Sequence, residues 1–310
     1  IFFMNYTLNQ LRIFLKIVEK QSITKASEEL HLTQPAVSIQ LKNFQNQFPI
    51  PLTEVVGRQL FVTDFGSEIA SAARRILKEV DSINYKLLAY QGELAGRLKI
   101  SVVSTGKYVM PYFLSDFVRG NPGVDLMMDV TNKSRVVETL EENQVDFALV
   151  SVLPQHLSLN KVSLMKNVLQ LVGNPRYFEK VKLGKSIFSK DTPLIFREKG
   201  SATRAAMENY LTKRSITVGK KIELTSNEAV KQAVLAGLGC SIMPLIGVHR
   251  ELKNGELSII PSKNLPIITT WNLVWLKNKK LSPVANALLD YLGTQKEEIM
   301  NKHFEWLDDY

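Results

Sequence analysis

The chain has 310 residues, of which 45% are hydrophobic and 22% charged, and its formal net charge is +9. The composition is typical of a globular protein, and the length is sufficient for two or three domains. No stretch approaches the ~18 consecutive apolar residues of a membrane span. The single cysteine, Cys240, excludes an internal disulfide and favours a reducing, cytoplasmic location. Its apolar surroundings favour a buried thiol over a nucleophile. The four histidines lack metal-ligand spacing, so we expect no metal site.

Residues 8–45 carry the apolar spacing of three short helices. The second and third are separated at His31-Leu32, which predicts a helix-turn-helix, and Thr33 is expected to cap the third helix through its hydroxyl. Pro35 fits the first turn of that helix, where a missing N–H has no consequence. The apolar positions that mark the first helix and the core face of the third are Leu8, Leu11, Leu15 and Val18, then Val37, Leu41, Phe44 and Phe48.

Polar side chains occupy the expected outer face of the third helix. A helix that presents its N-terminal residues to a major groove needs this arrangement, although an ordinary helical hairpin with a solvated polar face shows the same spacing. The following segment favours DNA binding, because residues 53–66 predict two short strands turned at Gly57-Arg58. Three helices and a small β-hairpin form a winged helix. The outward residues are Gln34, Ser38, Lys42 and Gln45.

Residues 8–66 resemble the DNA-binding domain of LysR-type transcription regulators. The residues that match the family pattern are Ala26-Ser27, Leu30, Gln34-Pro35-Ala36-Val37-Ser38, Gln40, Arg58 and Val62-Thr63-Asp64-Phe65-Gly66. The resemblance implies a winged helix-turn-helix domain at residues 4–66 that binds double-stranded DNA, with RNA polymerase as a further candidate partner. Gln34 and Ser38 would read base edges, and Arg58 would reach a minor groove. The implied DNA-binding residues are Thr24, Thr33, Gln34, Pro35, Ala36, Ser38, Lys42 and Arg58.

The net charge does not lie in this N-terminal part. Residues 1–96 hold ten Lys and Arg against nine Asp and Glu, whereas residues 97–310 hold 29 against 21. DNA binding is therefore expected to depend on helix geometry, helix N-termini and a few phosphate contacts, which favours binding by several modules at once.

Residues 67–92 predict one long helix with a continuous apolar stripe. Such a stripe must be buried, either on its own domain or against a second copy of the chain. The second arrangement resembles the linker helix that makes the LysR dimer, and it implies a homodimer or a dimer of dimers. The expected dimer contacts are Ile69, Ala73, Ile76, Val80, Ile83 and Leu87.

Strand and helix patterns alternate from residue 97 to residue 300, which predicts two α/β lobes with a ligand cleft between them. We expect one lobe at about 97–165 and 268–300, and the other at about 166–267. The stretch resembles the effector domain of LysR-type regulators, which has two Rossmann-like lobes and is similar to type 2 periplasmic binding proteins. This resemblance implies a small-molecule effector and no cofactor.

The cleft is expected where strands end and helices begin. Each Ser, Thr or Asn at these corners is also a natural helix cap, but their convergence on one crevice indicates a binding site, and the loop from Arg197 to Arg204 predicts an anion nest. Residues 161–221 hold fourteen Lys and Arg against four Asp and Glu, so they form either a solvated basic face or a lobe suited to anionic metabolites. The expected effector contacts, six of which the family resemblance implies, are Ser104, Thr105, Asn132, Ser134, Ser151, Phe196, Thr203, Arg204 and Asn227.

Three short stretches resemble the LysR branch that regulates RuBisCO operons: residues 103–111, 132–134 and 142–149. That resemblance implies a phosphorylated sugar or a nicotinamide nucleotide as effector. A bilobal solute-binding protein is the alternative, but it predicts a signal peptide and no winged helix, and the residues before Met4 are too few for such a peptide. An enzyme requires a polarised nucleophile, a phosphate-cradling loop or a metal cluster, and the sequence offers none of them. We therefore predict a regulator that is not an enzyme.

Overall fold

The computed structural model describes residues 5–57, 59–90, 92–182, 187–188 and 192–310, with the backbone alone at 81–82, 84–90 and 180–182. Its contacts divide the chain into two compact units, Ile1–Gly92 and Glu93–Tyr310. Arg58 and the side chain of Leu87, both predicted to be functional, lie outside the described part. None of the described helices is both long enough and apolar enough to cross a membrane.

Three short helices, a β-hairpin and a long helix form the first unit. The hairpin turns at Gly57, whose φ of +56° is a conformation that glycine adopts without strain. The winged helix predicted from the sequence is confirmed, with a core drawn from all three short helices and from the start of the long one. The elements are α1 (Leu8–Lys20), α2 (Ile23–Glu29), α3 (Gln34–Gln45), β1 (Thr53–Val56), β2 (Gln59–Val62) and α4 (Asp64–Tyr90).

The apolar stripe of α4 is divided between two environments. Ala73 is 1% exposed and packs in the core of its own unit, with Ile69 half-buried beside it. The prediction that Ala73 contacts a second copy is therefore wrong, because the winged helix already covers it, whereas the contact predicted for the half-buried Ile69 stays a prediction. Ile83 is 63% exposed and Ile76 is also exposed, so this later part of the stripe remains uncovered in the single chain, with Val80 half-buried.

A mixed sheet flanked by helices forms most of the second unit. In the described residues its strand order is β10-β6-β11-β5-β3-β4, with β9 on the far side of β6, while β7 pairs in parallel with β8. The strands are β3 (Gly96–Val103), β4 (Val124–Thr131), β5 (Phe147–Val150), β6 (Leu159–Gly173), β7 (Pro193–Arg197), β8 (Lys220–Leu224), β9 (Ser241–Pro244), β10 (Ser258–Ile259) and β11 (Ile267–Leu276). The helices are α5 (Met110–Gly120), α6 (Lys133–Glu141), α7 (Pro175–Lys182), α8 (Ala202–Lys213), α9 (Asn227–Leu235), α10 (His249–Lys253) and α11 (Pro283–Phe304).

The two long strands β6 and β11 connect the lobes. They pair with each other in antiparallel fashion, and β6 continues past this pairing to bind β9 and β10. Separate apolar cores lie in the two halves of the unit, which confirms the predicted two-lobed α/β architecture. The unit also extends beyond residue 300, where the sequence analysis ended it, because Phe304 and Leu307 are buried in the first core.

Candidate functional site

The N-terminal turn of α3 is open to solvent. Gln34 and Pro35 are exposed, and so is the N-cap residue Thr33. The Thr33 hydroxyl makes no capping hydrogen bond to α3, so the prediction that it caps the helix in this way is wrong. The first N–H groups of α3 thus remain accessible at the positive end of the helix dipole, an arrangement that binds phosphate oxygens.

The outward stripe of α3 differs from the predicted one at its C-terminal end. Gln45 is half-buried, and its Oε1 accepts hydrogen bonds from the backbone N–H (3.2 Å) and the hydroxyl (2.9 Å) of Thr53. The expectation that Gln45 lies on the free outer face is therefore wrong, since its side chain joins α3 to the wing. Lys42 is exposed and Ser38 half-exposed, as predicted.

Ile39 is a candidate that the sequence analysis did not select. Its side chain is 57% exposed in the middle of α3, four residues after Pro35 and three before Lys42. The signal was present, because Ile39 falls outside the register of the buried residues Val37 and Leu41. An exposed aliphatic side chain on a groove-facing helix has the size and polarity to contact a thymine methyl group.

Two cations of α1, Lys16 and Lys20, are held in ion pairs with glutamates. Lys16 bonds Glu19 at 2.8 Å and Glu29 at 2.9 Å, and Lys20 also pairs with Glu29, which ties α1 to α2. The hydrogen bonds from Lys20 and then Lys16 lower the pKa of Glu29. Lys42 is exposed and has no ion-pair partner within the described residues. The remaining predicted residues, Thr24 and Ala36, are exposed and half-buried respectively.

Arg197 forms the centre of the cleft in the second unit. It ends β7, its side chain is 3% exposed, and it contacts both lobes. Nη2 donates to the Ser104 hydroxyl at 3.1 Å, and Nη1 donates to Oδ1 of Asn227 at 3.4 Å. Nε and Nη2 also donate to the two carboxylate oxygens of Glu198, both at 2.8 Å. The sequence analysis placed Arg197 in the anion-nest loop without selecting it as a contact.

Asn227 brings an unsatisfied donor to the same place. It is buried at the start of α9, and its Nδ2 has no hydrogen-bond partner in the described part of the chain. A buried amide left unpaired costs about 1–3 kcal/mol, so a ligand oxygen at this position would be favoured. Ser104 and Asn227, both predicted from the sequence, thus meet around the guanidinium of Arg197, which also pairs with Glu198.

Other predicted contacts have mixed outcomes. Asn132 caps α6 by accepting the N–H of Arg135 at 3.0 Å, which is the alternative that its position left open. Ser134 is exposed at the start of the same helix. A Cβ added to Gly200 of the other lobe would lie 2.7 Å from the Ser134 Oγ, so the two lobes approach closely here. The other predicted hydroxyls are buried or half-buried: Thr105, Ser151 and Thr203.

Arg204 does not supply the free cation that was expected. Its Nε donates to Glu208 at 2.8 Å, and its Nη1 donates to Glu223 at 2.7 Å and to the backbone oxygen of Arg197 at 3.0 Å. The guanidinium hydrogen bond lowers the pKa of Glu223. Arg204 thereby braces the strand end that carries Arg197. Phe196 is likewise buried in the core of its lobe, with the Lys221 Nζ 4.7 Å from its ring centroid.

A cavity of about 970 Å³ lies between α6 and α8, beside the loop that follows Arg197. Glu138 and Glu208 are paired with Arg135 and Arg204, and Glu141 lies beside the His156 imidazole, whereas Lys133 and Lys199 have no ion-pair partner among the residues that the structure describes. The cavity therefore brings two unpaired lysines next to the cleft. The residues that line it include Lys133, Ser134, Glu138, Glu141, His156, Lys199, Gly200, Ser201, Arg204 and Glu208.

Comparison with known families identifies both units. Residues 8–67 match the bacterial regulatory helix-turn-helix protein, lysR family, and residues 91–297 match the LysR substrate binding domain. The chain belongs to the LysR family of transcription regulators. The family resemblance drawn from the helix pair and wing is thus confirmed, and DNA binding and transcription regulation follow from it.

Several LysR relatives support the finer resemblance to the RuBisCO-operon branch. The chain is 33% identical over 299 residues to the HTH-type transcriptional activator CmpR of Synechocystis sp., covering 95% of this chain and 97% of the relative. It is 33% identical over 296 residues to the RuBisCO operon transcriptional regulator of Allochromatium vinosum, covering 93% and 96%. The regulatory domain of Synechocystis CcmR, solved in complex with 2-PG, is 33% identical with a TM-score of 0.58, covering 64% of this chain and 95% of that one.

Proposed function

We propose that this LysR regulator reads promoter DNA through the outward face of α3, and that an anionic metabolite bound at Arg197 modulates this binding. We further propose that it acts in the cytoplasm and catalyses no reaction. The observation that carries the proposal is a buried guanidinium that contacts Ser104 in one lobe and Asn227 in the other. A ligand bound there touches both lobes and favours the arrangement that holds them together.

The effector class follows from the donors in the cleft. A guanidinium binds carboxylate and phosphate groups through paired N–H donors, and the hydroxyl and amide beside it add further polar contacts. The related CcmR domain was solved with 2-PG, 2-phosphoglycolate, which carries both kinds of oxyanion. We therefore propose a small phosphorylated metabolite as the effector and use 2-phosphoglycolate as the probe.

Base recognition is assigned to three side chains on α3. Gln34 and Ser38 would form hydrogen bonds with base edges, and Ile39 would contact a thymine methyl group. Lys42 and the open N-terminus of α3 would bind phosphates, and Arg58 would reach a minor groove.

A second copy would pair through the exposed part of the α4 stripe, giving a homodimer or a dimer of dimers on two half-sites. RNA polymerase would be a further partner.

A binding experiment on selected DNA tests the assignment of α3. Duplexes are enriched from a random pool by the wild-type protein, and affinities for these and for random DNA are measured by fluorescence anisotropy at one salt concentration. We expect Gln34→Ala to weaken binding to selected DNA by roughly 5- to 150-fold, the equivalent of ~1–3 kcal/mol, and to leave random DNA unaffected. Ile39→Ala is expected to reduce selectivity at a thymine.

Asn46→Ala is the matched control, because it removes an exposed amide at the other end of α3, about 18 Å from Gln34 at 1.5 Å per residue. We expect this variant to keep the wild-type affinity. Equal losses in Gln34→Ala and Asn46→Ala, or the absence of any enriched sequence, would argue against base reading by α3.

A further inference from the structure

We propose that Glu198 is a built-in competitor of the effector. Its carboxylate occupies the guanidinium of Arg197 when the cleft is free of ligand, and the anionic group of the effector displaces it. This inference deepens the proposed function and rests on it, since it names the protein group that the effector must replace.

The geometry of the pair is that of a bound ligand. The two carboxylate oxygens of Glu198 accept hydrogen bonds from Nε and Nη2 of Arg197, both at 2.8 Å. A guanidinium binds a carboxylate or phosphate through two parallel N–H donors of this kind. The side of Arg197 that best fits an anionic metabolite is thus already filled by a group of the same chemistry.

The two partners differ in how freely they can move. The Arg197 side chain is 3% exposed and is held by Ser104 and Asn227, whereas that of Glu198 is 17% exposed. Glu198 is also the first residue after β7, which ends at Arg197. Rotation of the Glu198 side chain therefore moves its carboxylate toward water while the guanidinium stays in the cleft.

The exchange is balanced in charge. A buried guanidinium without a counter-charge is strongly unfavourable, so the ligand-free cleft needs a local anion. When a ligand anion takes that place, Glu198 regains its hydration and Arg197 keeps an equivalent pair. Because Nη2 contacts both Glu198 and Ser104 of the other lobe, replacing the carboxylate changes a bond network that spans the cleft. The unpaired Nδ2 of buried Asn227 provides a further donor for the ligand.

Competition has a measurable consequence. A ligand that must displace an internal group binds more weakly than it would bind an open site. Its apparent dissociation constant is the intrinsic constant divided by the fraction of protein molecules whose site is open. Neutralising Glu198 while keeping its shape removes the competitor, so Glu198→Gln is expected to bind the effector more tightly. If Glu198 is only a structural counter-ion that stays in place beside the ligand, the same variant binds with equal or lower affinity.

The experiment is isothermal titration calorimetry of 2-phosphoglycolate into the full chain, with the fold of each variant checked by circular dichroism. We expect Glu198→Gln to lower the dissociation constant by about tenfold or more, because a two-oxygen ion pair with Arg197 is replaced by a weaker hydrogen bond to one uncharged amide oxygen. Glu198→Asp keeps the competing charge and should stay close to wild type. Asp125→Asn is the matched control, since it neutralises a carboxylate paired with Arg97 at 2.9 Å on neighbouring strands β3 and β4.

The outcomes separate the inference from the proposed function. If the wild-type protein binds 2-phosphoglycolate and Glu198→Gln binds it no more tightly, the competitor role is overturned and the proposed effector site is retained. A gain of similar size in Asp125→Asn overturns it as well, because a general charge effect then explains the result. Absence of binding in every variant overturns the proposed anionic effector of this class together with the inference. Tighter binding in Glu198→Gln alone supports both.

Discussion

The two binding surfaces of this regulator differ in how their polar groups are satisfied. On α3, Gln34 and Lys42 are exposed, and the Thr33 hydroxyl makes no capping bond to the helix. In the cleft, Arg197 is buried and already bonded to groups of its own chain, among them Glu198. The surface assigned to DNA is therefore open before its partner arrives, whereas the cleft must exchange one contact for another. Such an exchange couples ligand binding to a change in the protein, which a sensor requires.

The largest expected effect comes from disrupting the dimer, which should weaken DNA binding and leave effector binding intact. Ile83→Asp places a carboxylate on the exposed stripe of α4 and is expected to convert the dimer to a monomer in light-scattering measurements. DNA affinity should fall by roughly 100-fold or more, because two linked half-site contacts become single ones. The affinity for 2-phosphoglycolate should remain within about twofold of wild type, since the mutation leaves Arg197 untouched.

Lys78→Asp is the control for this change, because it places the same carboxylate at an exposed position off the stripe of α4. A dimer that survives Ile83→Asp, or a monomer produced equally by Lys78→Asp, would contradict the assignment of the stripe to the dimer contact.

An intermediate effect is expected from adding a methyl group between Gly200 and Ser134, which belong to different lobes. Gly200 has a φ of +87°, and a Cβ at this residue would lie 2.7 Å from the Ser134 Oγ. Gly200→Ala should therefore force the Ser134 hydroxyl to rotate away, add backbone strain, and weaken 2-phosphoglycolate binding by about threefold, whereas DNA affinity without effector should be unchanged.

The matched control for the glycine is Gly255→Ala. Gly255 has a similar φ of +74°, but nothing lies within 4 Å of its added Cβ, so this variant carries the backbone strain without the collision. Calorimetry on both variants distinguishes the two causes, and equal losses of affinity would refute a specific role for the approach of Gly200 to Ser134.

The smallest effect concerns a region that serves neither surface. His249 stacks on Trp306 with ring centroids 3.6 Å apart, and burial, with the charge of Lys253, lowers the pKa of His249 below its usual 6.5. His249 therefore binds a proton at higher pH in the unfolded chain than in the folded chain. The contribution of the neutral His249 ring to stability is complete above about pH 6.5 and declines as the pH falls below this value.

His249→Phe retains an aromatic ring without the titration. We expect the melting temperature of this variant to fall less steeply than that of wild type between about pH 7.5 and 5.5, with DNA and effector binding unchanged at pH 7.5. Thermal unfolding followed across this range provides the measurement, and identical slopes for the two proteins would exclude His249 as a source of the pH dependence.

Local signals in the sequence were sufficient to predict most helices and the wing. Helix α8 carries such a signal, because Ser201 accepts the N–H of Arg204 and so sets the start of the helix. The hairpin turn at Gly57-Arg58 was likewise indicated by residues adjacent in the chain. In these cases capping and turn chemistry act within a few residues, so the pattern alone is informative.

Features that depend on distant partners were not predictable in this way. Strand β6 carries no clear local signal, because its partners, such as β11, lie about a hundred residues away, and its pattern includes Lys166 and the buried Asn167. Arg197 and Arg204 lie on either side of one short loop, and only the folded chain shows that Arg197 enters the cleft while Arg204 pairs with glutamates. Local spacing carries no information about which of two arginines faces another lobe.

The most direct test of the account is to measure DNA geometry while the effector is added. Wild-type protein is bound to a selected duplex labelled at both ends, and energy transfer between the labels is followed during titration with 2-phosphoglycolate. We predict a saturable change in transfer for wild type, the same change at about tenfold lower ligand for Glu198→Gln, and no change for folded Arg197→Gln. Constant transfer in wild type at saturating ligand, or an unaltered response in Arg197→Gln, would contradict it.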